Sequence, residues 1–231
     1  YRVPDGSNRI ALAPRLGANL TPVTGYDALR LKAHIGRSFR MPTLNDRYWQ
    51  PGGVPDLRPE RGWSADLGLR WEESTTHVDV TAFQQWHTDR IIWTPTSRGV
   101  WSPQNVQRVR TRGFEATAAT NWTVYSSLRL TTGLNATFTD ARDRSNPEAS
   151  SYDQPLRYVP RIMAKPYTTL QIGAFALDTN LRYVGRRYTT SDGSQFRDPY
   201  LTASTQMRLE QRWNDMTIQL RIRIENLLNT D

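Results

Sequence analysis

The chain has 231 residues, of which only 37% are hydrophobic, yet it carries 8 Trp, 10 Tyr and 6 Phe. No window approaches the roughly 18 consecutive apolar residues of a transmembrane helix, so a helical membrane protein is excluded, and the absence of cysteine excludes disulfide scaffolds, Cys-based zinc sites and thiol catalysis. The net charge of +8 comes from basic residues spread along the chain, which favours wall and loop charge over a nucleic-acid site.

Apolar and polar residues alternate with a period of two along most of the chain. Between Trp63 and Trp71 the odd positions are apolar and the even positions are polar or glycine, and residues 128–138 and 216–225 repeat the pattern. Such alternation is typical of strands with one apolar and one polar face. It predicts ten strands, in chain order near 9–21, 27–39, 60–72, 76–93, 108–122, 126–140, 159–174, 176–189, 200–213 and 216–228.

The connections between these predicted strands alternate in length. Short turns are expected near 22–26, 73–75, 123–125, 175 and 214–215, and long loops near 40–59, 94–107, 141–158 and 190–199. A soluble sandwich has no reason to place all its long loops at one end, whereas an outer-membrane barrel has short periplasmic turns and long extracellular loops. The sequence therefore predicts an all-β, antiparallel transmembrane β-barrel segment of about ten strands.

Aromatic residues mark the ends of the predicted strands. Trp63 and Trp71 are separated by roughly 26 Å of strand at about 3.3 Å per residue, a span that strand tilt shortens across the membrane. The apolar band that aromatic girdles flank in such barrels is about 25 Å tall, so the agreement is fair. Trp122, Tyr125 and Trp213 lie next to short turns. This placement favours two membrane interfaces over a sandwich core.

The polar strand faces carry charged residues, for example Asp66 and Arg208. An unpaired charge facing a dry core costs several kcal/mol, so this face is expected to line a water-filled lumen and to form cross-strand ion pairs. Two places break the pattern. Pro166 would remove a ladder hydrogen bond, and a slip in alternation between Trp86 and Trp93 suggests a β-bulge.

The segment 39–60, FRMPTLNDRYWQPGGVPDLRPE, resembles a hallmark of TonB-dependent outer-membrane receptors, in which an F-R-x-P-T phrase ends one strand and N-P-x-L-x-P-E opens the next. Val54 replaces the usual Asn. DRII at 89–92, Asn105 followed by TRGFEA at 111–116, and IENLLNTD at 224–231 resemble further family phrases in the same order. The matching residues to which we assign a family role are Phe39, Arg40, Pro42, Thr43, Pro55, Leu57, Pro59, Glu60, Gly113, Glu115 and Asn226.

The resemblance implies that residues 1–231 are part of one receptor β-barrel domain of 22 strands, roughly its twelfth to twenty-first strand. The family's plug domain, TonB box, early strands and last strand are then expected outside this chain. The first ten residues lack signal-peptide organisation, so an export signal is also expected elsewhere. The implied location is the cell outer membrane.

The resemblance also implies active import of a scarce solute, such as siderophore-iron or cobalamin, with energy from TonB. Implied partners are the TonB complex, reached through the plug, outer-membrane lipid or lipopolysaccharide, the small solute ligand, and a surface lipoprotein or other subunits. Five loop aromatics are the candidate ligand-binding residues because they could stack on a flat ligand: Tyr48, Trp49, Trp101, Tyr152 and Tyr158.

The alternatives are a passive porin-type channel, an outer-membrane hydrolase barrel and a soluble glycan-binding sandwich. A general porin would lack the PDLRPE and GFE phrases. His34, His77 and His87 have no HExxH or catalytic frame around them. We therefore expect no enzyme activity, no cofactor and no metal, and the spread of charge gives no reason to expect a nucleic-acid partner.

Overall fold

The computed structural model describes residues 12–97 and 99–230. Ten strands form one antiparallel sheet in the order β1 to β8, then β11 and β12, and β9 pairs with β10 in a separate hairpin. The elements are β1 (Arg15–Leu20), β2 (Leu29–Arg40), α1 (Leu44–Tyr48), β3 (Glu60–Glu73), β4 (Thr76–Pro95), β5 (Trp101–Tyr125), β6 (Leu128–Asp143), β7 (Ile162–Ile172), β8 (Phe175–Val184), β9 (Arg187–Tyr188), β10 (Phe196–Arg197), β11 (Tyr200–Trp213) and β12 (Met216–Ile224).

The ten-strand antiparallel prediction is confirmed, and each strand of the sheet pairs with its neighbour in sequence or across the β9–β10 hairpin. The edge elements are shorter than expected. Of the predicted first strand, residues 12–14 are not in a strand and 9–11 lie outside the described residues, and β12 ends at Ile224, shortly before Asn226 adopts φ 52°. The predicted 176–189 strand ends at Val184, because the chain then turns into β9.

The prediction of a long loop at 94–107 is wrong. β4 continues to Pro95 and β5 begins at Trp101, so the connection is residues 96–100. The two strands stay paired to their tips, where Pro95 opposes Trp101. The sequence did not indicate this extension, because the prolines at 95 and 103 argue against a strand. In the structure Pro103 nevertheless lies within β5 and is fully buried.

The three longest connections, residues 41–59, 144–161 and 185–199, lie at one end of the sheet, here named the loop end, together with the short 96–100 connection. The opposite end, here named the turn end, has connections of two to eight residues. The register places apolar residues of adjacent strands in continuous rows on one face. One row runs Leu31, Leu69, Val80, Ala116 and Ala136. Leu69 and Val80 are 45% and 41% exposed, as expected for side chains that face lipid and not a protein core.

The opposite face carries the expected cross-strand ion pairs. Lys32 on β2 pairs with Asp79 on β4, and His34 Nδ1 lies 3.1 Å from Asp66 Oδ2. Similar pairing recurs near the far edge, where Arg208 contacts Asp178 through Nε at 2.8 Å. A water-filled lumen tolerates such half-exposed pairs, each of which contributes at most about 1 kcal/mol.

The two predicted irregularities turn out differently. Pairing between β7 and β8 lapses at Lys165 and Pro166, as the missing proline N–H requires. The bulge expected in β4 is absent, because the β4–β5 register is the same on both sides of Asp89. Asp89 instead adopts φ 57°, a left-handed conformation that Asp tolerates better than most residues. The register shift in β5 falls at Thr123/Tyr125.

No helix in residues 12–97 and 99–230 is long and apolar enough to cross a membrane.

Candidate functional site at the loop end

The loop between β2 and β3, residues 41–59, is folded against the sheet by a short helix. Thr43 caps α1: its side chain accepts from Asp46 N at 3.1 Å, and the Asp46 carboxylate accepts from Thr43 N at 2.9 Å. This reciprocal capping box satisfies two otherwise orphan N–H groups. Asp46 is 5% exposed, and its other oxygen accepts from Trp93 Nε1 of β4 at 3.0 Å. One carboxylate therefore shapes the helix and anchors the loop to β4.

The ionisation of Asp46 follows from these contacts. Burial acts to raise the pKa of Asp46, but the hydrogen bonds from Thr43 and Trp93, with the charge of Arg40, outweigh it and hold the pKa below its ordinary value. Elsewhere at the loop end, hydrogen bonds from Thr190 and Ser194 lower the pKa of Asp192 to about 2. Both carboxylates are thus charged at neutral pH.

Two glycines allow close packing of the loop, one against the start of β5 and one against the loop's own helix α1. A Cβ built on Gly52 would stand 1.9 Å from the backbone oxygen of Trp101, and one on Gly53 would stand 2.6 Å from Trp49 N. Real Cβ atoms do not approach other atoms so closely, so these positions require residues without a side chain. Gly52 therefore allows the loop to pack on the start of β5, and Gly53 allows the chain to fold back closely on the end of α1.

The end of the same loop is held by Glu60, the first residue of β3. Glu60 Oε1 accepts from Arg40 Nη2 at 2.7 Å and from Ile91 N at 2.8 Å. The carboxylate thus joins the end of β2, the start of β3 and the upper part of β4. Charge-assisted bonds of this kind are about twice as strong as neutral ones, so Arg40 and Glu60 have a structural role.

Asn105 of β5 supplies the next link. Its side chain accepts from Arg58 N at 3.0 Å, donates to Arg58 O at 3.0 Å and donates to Asp89 O at 2.6 Å. Arg58 Nη2 also lies 2.7 Å from Asp89 Oδ1. Three motifs that are distant in sequence therefore meet at one point: DRII, PDLRPE and Asn105. The left-handed backbone conformation of Asp89 directs its carbonyl oxygen towards the Asn105 side chain.

The other family-motif residues also belong to the framework. Pro42, Leu57 and Pro59 are buried, whereas Pro55 is exposed and Phe39 is 41% exposed on the apolar face. The remaining three lie away from the loop. A Cβ on Gly113 would stand 1.9 Å from Phe138 O, and Glu115 is exposed on β5 between Thr81 and Thr137 of the adjacent strands. The Asn226 side chain donates to Thr230 O and accepts from Thr230 N.

Two of the five candidate ligand-binding aromatics line one cavity. This cavity, of about 350 Å³, lies between β4, the start of β5 and the loop 144–161, and Trp101 and Tyr158 both line it. They are 58% and 65% exposed. Trp101 is not the loop residue that the sequence predicted, since it opens β5. Tyr158 is held with φ 60° by a hydrogen bond from its N to Tyr188 O.

The other three candidates do not line this cavity. Tyr48 belongs to α1 and Trp49 caps it, and both side chains are more than half exposed. Tyr152 packs its own loop: the Arg144 guanidinium carbon lies 5.4 Å from its ring centroid, and Arg144 Nη1 donates to its hydroxyl at 3.4 Å.

The cavity also contains charged residues that the sequence did not single out. Arg90 and Arg157 line it together with Trp93 and Asp143. Two guanidiniums beside exposed aromatic rings can bind a flat ligand with anionic or hydrogen-bonding groups. Asp46 was also missed, although the T-x-x-D spacing of Thr43 and Asp46 is a sequence signature of a helix start. Over the part of the chain that the structure describes, no group of three or more His, Asp or Glu could hold a metal ion.

Comparison with known proteins agrees with this geometry. Residues 4–227 match the family described as TonB dependent receptor-like, beta-barrel. The chain is 26% identical over 213 residues to the vitamin B12 transporter BtuB of Photobacterium profundum, covering 87% of this chain and 33% of that protein. It is 30% identical over 132 residues to BtuB of Vibrio vulnificus, covering 57% and 20%. The chain thus spans a third or less of the length of these relatives.

Solved structures share the fold at low identity. The ferric citrate transporter FecA superposes with a TM-score of 0.74 at 12% identity, covering 95% of this chain and 33% of that one. The ferric yersiniabactin uptake receptor FyuA from Yersinia pestis gives 0.72 at 18% identity, covering 94% and 32%. Because the family match extends over nearly the whole sequence, this chain belongs to the TonB-dependent receptor family and forms part of its β-barrel.

Proposed function

We propose that this chain is part of an outer-membrane receptor that imports a scarce solute, a ferric siderophore, cobalamin or a similar compound, with energy from the TonB complex. Family membership supports the receptor and the outer-membrane location. The vitamin B12 transporters and ferric siderophore receptors among its relatives support the solute class. TonB would act through a plug domain outside this chain.

The cavity at the loop end is the observation that carries the proposal. Trp101 and Tyr158 offer exposed rings, and Arg90 and Arg157 offer positive charge beside them. Its volume of about 350 Å³ falls near the lower bound of typical small-molecule sites. A bulky solute would therefore fill this cavity with only one part, such as an aromatic or anionic group, and would extend into the mouth of the barrel.

A passive channel and a hydrolase are the competing functions. The loop 41–59 is anchored at the barrel mouth through Asp46, Glu60 and Asn105, which suits a structured binding surface more than an open pore. His34 engages Asp66 within a row of wall ion pairs, which fits a structural role. Import by a receptor remains the function that these contacts favour.

The import function can be tested with the full-length protein in a Gram-negative host that lacks its own vitamin B12 and siderophore receptors. Uptake of radiolabelled vitamin B12 and of iron-55 enterobactin is measured in cells with and without TonB. We expect saturable uptake of one probe that stops when TonB is removed. Uptake at an unchanged rate without TonB would establish a passive channel instead.

The cavity residues can be tested in the same system. Trp101→Ala and Tyr158→Ala each remove one exposed ring, and an aromatic pair contributes about 0.5–1.5 kcal/mol beyond area burial, so we expect Kd to rise about 2- to 13-fold for each. Trp49→Ala is the matched control, since Trp49 is similarly exposed but does not line the cavity. A larger effect of Trp49→Ala than of the other two would move the binding site to α1.

A further inference from the structure

A cluster of arginines interrupts the lipid-facing side of the sheet. Arg112 of β5 lies on the same strand face as Phe114, and Asp140 of β6, which opposes Arg112, lies on the same face as Phe138. Arg112 Nε donates to Asp140 Oδ2 at 3.2 Å, and Arg142 Nε donates to Asp140 Oδ1 at 2.7 Å. Asp140 is only 6% exposed, so one buried carboxylate holds two guanidiniums on the outside of the barrel.

Arg161, just before β7, completes this arginine cluster. Its Nη2 lies 4.0 Å from Asp140 Oδ1. Three arginines thus surround Asp140. Arg142 also contacts Asp153, which pairs with Arg144, so four arginines and two carboxylates leave an excess positive charge of two. The side chains of Arg112 and Arg161 are 55% and 47% exposed. Asp140 engages Arg112 through Nε, so the terminal nitrogens of that planar fork point past the carboxylate and can bind an anion with bidentate geometry.

An apolar groove lies directly below the cluster. It has a volume of about 670 Å³, and Leu67, Ala82, Phe114 and Phe138 line it together with Arg112 and Asp140. Ala82 lies between the larger Leu67 and Phe114 in the cross-strand row, which makes a depression in the surface. In the next row towards the turn end Ala116 lies opposite Ala136, so small side chains follow the two phenylalanines on this face of the sheet.

The depth of the cluster matches a membrane interface. Arg112 and the turn-end Trp122 are ten residues apart on β5, about 33 Å of strand, and a tilt of 35–45° reduces this to about 25 Å across the membrane. An apolar band of such barrels is about 25 Å tall. If Trp122 marks the periplasmic interface, Arg112 lies at the height of the outer-leaflet headgroups and the groove lies at the height of the acyl chains.

We propose that the arginine cluster binds the phosphate of a phosphorylated lipid of the outer leaflet, and that the groove takes one of its acyl chains. The charge argues for this occupant, because exposed guanidiniums on a lipid-facing surface need an anion that is itself part of the membrane. The groove argues for a lipid over free phosphate, because it is apolar and continuous with the cluster. The site is independent of the imported solute.

The test uses the full-length protein in nanodiscs of phosphatidylethanolamine, to which diphosphorylated lipid A or inorganic phosphate is added, with bound lipid measured by native mass spectrometry. Each basic group near a membrane surface contributes about a fivefold change in lipid affinity, so we expect Arg112→Gln with Arg161→Gln to weaken lipid A binding roughly 30-fold. Arg129→Gln is the matched control, since Arg129 is an exposed β6 arginine at the turn end on the opposite face, and we expect it to bind lipid A normally.

A second variant tests the groove alone. Ala82→Phe fills the groove and leaves the arginines in place, and a lipid-facing position has room for the larger side chain. We therefore expect this variant to bind lipid A more weakly, while the folded barrel keeps its heat-modifiable migration in electrophoresis. It decides the question if the arginine pair fails to fold. Three results would overturn the proposal. The first is unchanged lipid A binding in whichever of the arginine double variant and Ala82→Phe folds; the second is an equal loss of binding in Arg129→Gln. The third is full displacement of lipid A by millimolar inorganic phosphate.

Discussion

Replacement of Asp46 by alanine tests whether one carboxylate anchors the loop 41–59 to the barrel wall. The side chain accepts hydrogen bonds from Thr43 N, from Thr43 Oγ1 and from Trp93 Nε1. It is 5% exposed, so water cannot easily take its place. The substitution removes the Asp46 half of the capping box, so that Thr43 N loses its acceptor, and it leaves the Trp93 indole N–H without its acceptor.

The magnitude follows from these two losses. The lost hydrogen bond to Thr43 N costs about 1 kcal/mol, and a buried donor left unsatisfied costs about 1–3 kcal/mol. Together they predict that the free energy of loop opening falls by about 2–4 kcal/mol, which corresponds to a roughly 30- to 900-fold increase in the open population. The strands themselves should be unaffected, because the side-chain hydrogen bonds of Asp46 are confined to Thr43 of the loop and to Trp93 of β4.

Hydrogen exchange of the full-length protein in detergent measures this directly. Amides of residues 41–59 in Asp46→Ala should exchange faster by that factor, while amides of β7 and β8 keep their protection. Asp56→Ala is the matched control, since Asp56 is an exposed acid of the same loop, and its exchange rates should equal those of the parent protein. Equal protection in Asp46→Ala and Asp56→Ala would refute the anchoring role.

The same loop should open in acid. The pKa of Asp46 in the folded state lies below its ordinary value of 3.8. The stabilisation that Asp46 gives to the docked loop is therefore fully present above pH 3.8 and is lost as the pH falls through the folded-state pKa. Loop protection should therefore hold at pH 5 and above and decline below about pH 4. Asp46→Asn should remove this acid dependence of the loop while preserving part of the hydrogen bonding. Two further variants test the packing of the same loop. Gly52→Ala places a Cβ 1.9 Å from a backbone oxygen at the start of β5, so we expect faster protease cleavage of the loop, whereas Gly17→Ala, where the nearest atom is 3.7 Å away, should leave cleavage unchanged. Asn105→Ala removes three hydrogen bonds, two of them to Arg58, each contributing about 1 kcal/mol, and should raise loop exchange at least about tenfold. Exposed Asn45→Ala serves as its control, and similar exchange in both would contradict the bridging role.

Much of the fold could be predicted because strand pattern is local. A side chain in a strand faces opposite to its neighbours whatever lies beyond it, so the alternation between Trp63 and Trp71 was readable directly. The strand count and the two ends of the sheet followed from counting such segments. The family phrases were also readable, because proline and glycine mark strand entries in the sequence itself.

The binding region could be predicted only in part. Trp101 and Tyr158 were nominated as aromatics, but nothing local indicated that they share a cavity with Arg90 and Arg157, residues far apart in sequence. The extension of β4 and β5 into residues 94–107 was missed because prolines usually end strands. Here the partner strand and a buried position for Pro103 outweigh that preference.

The sequence by itself determined that this chain forms antiparallel strands with a lipid-facing and a lumen-facing side, because that information repeats every two residues. The tertiary structure alone decided where charges meet across strands. Asp46 reaches Trp93, and Asp140 gathers Arg112 and Arg142 on the lipid-facing side. Such contacts depend on strand register and loop docking, which are long-range packing outcomes that no short window of sequence encodes.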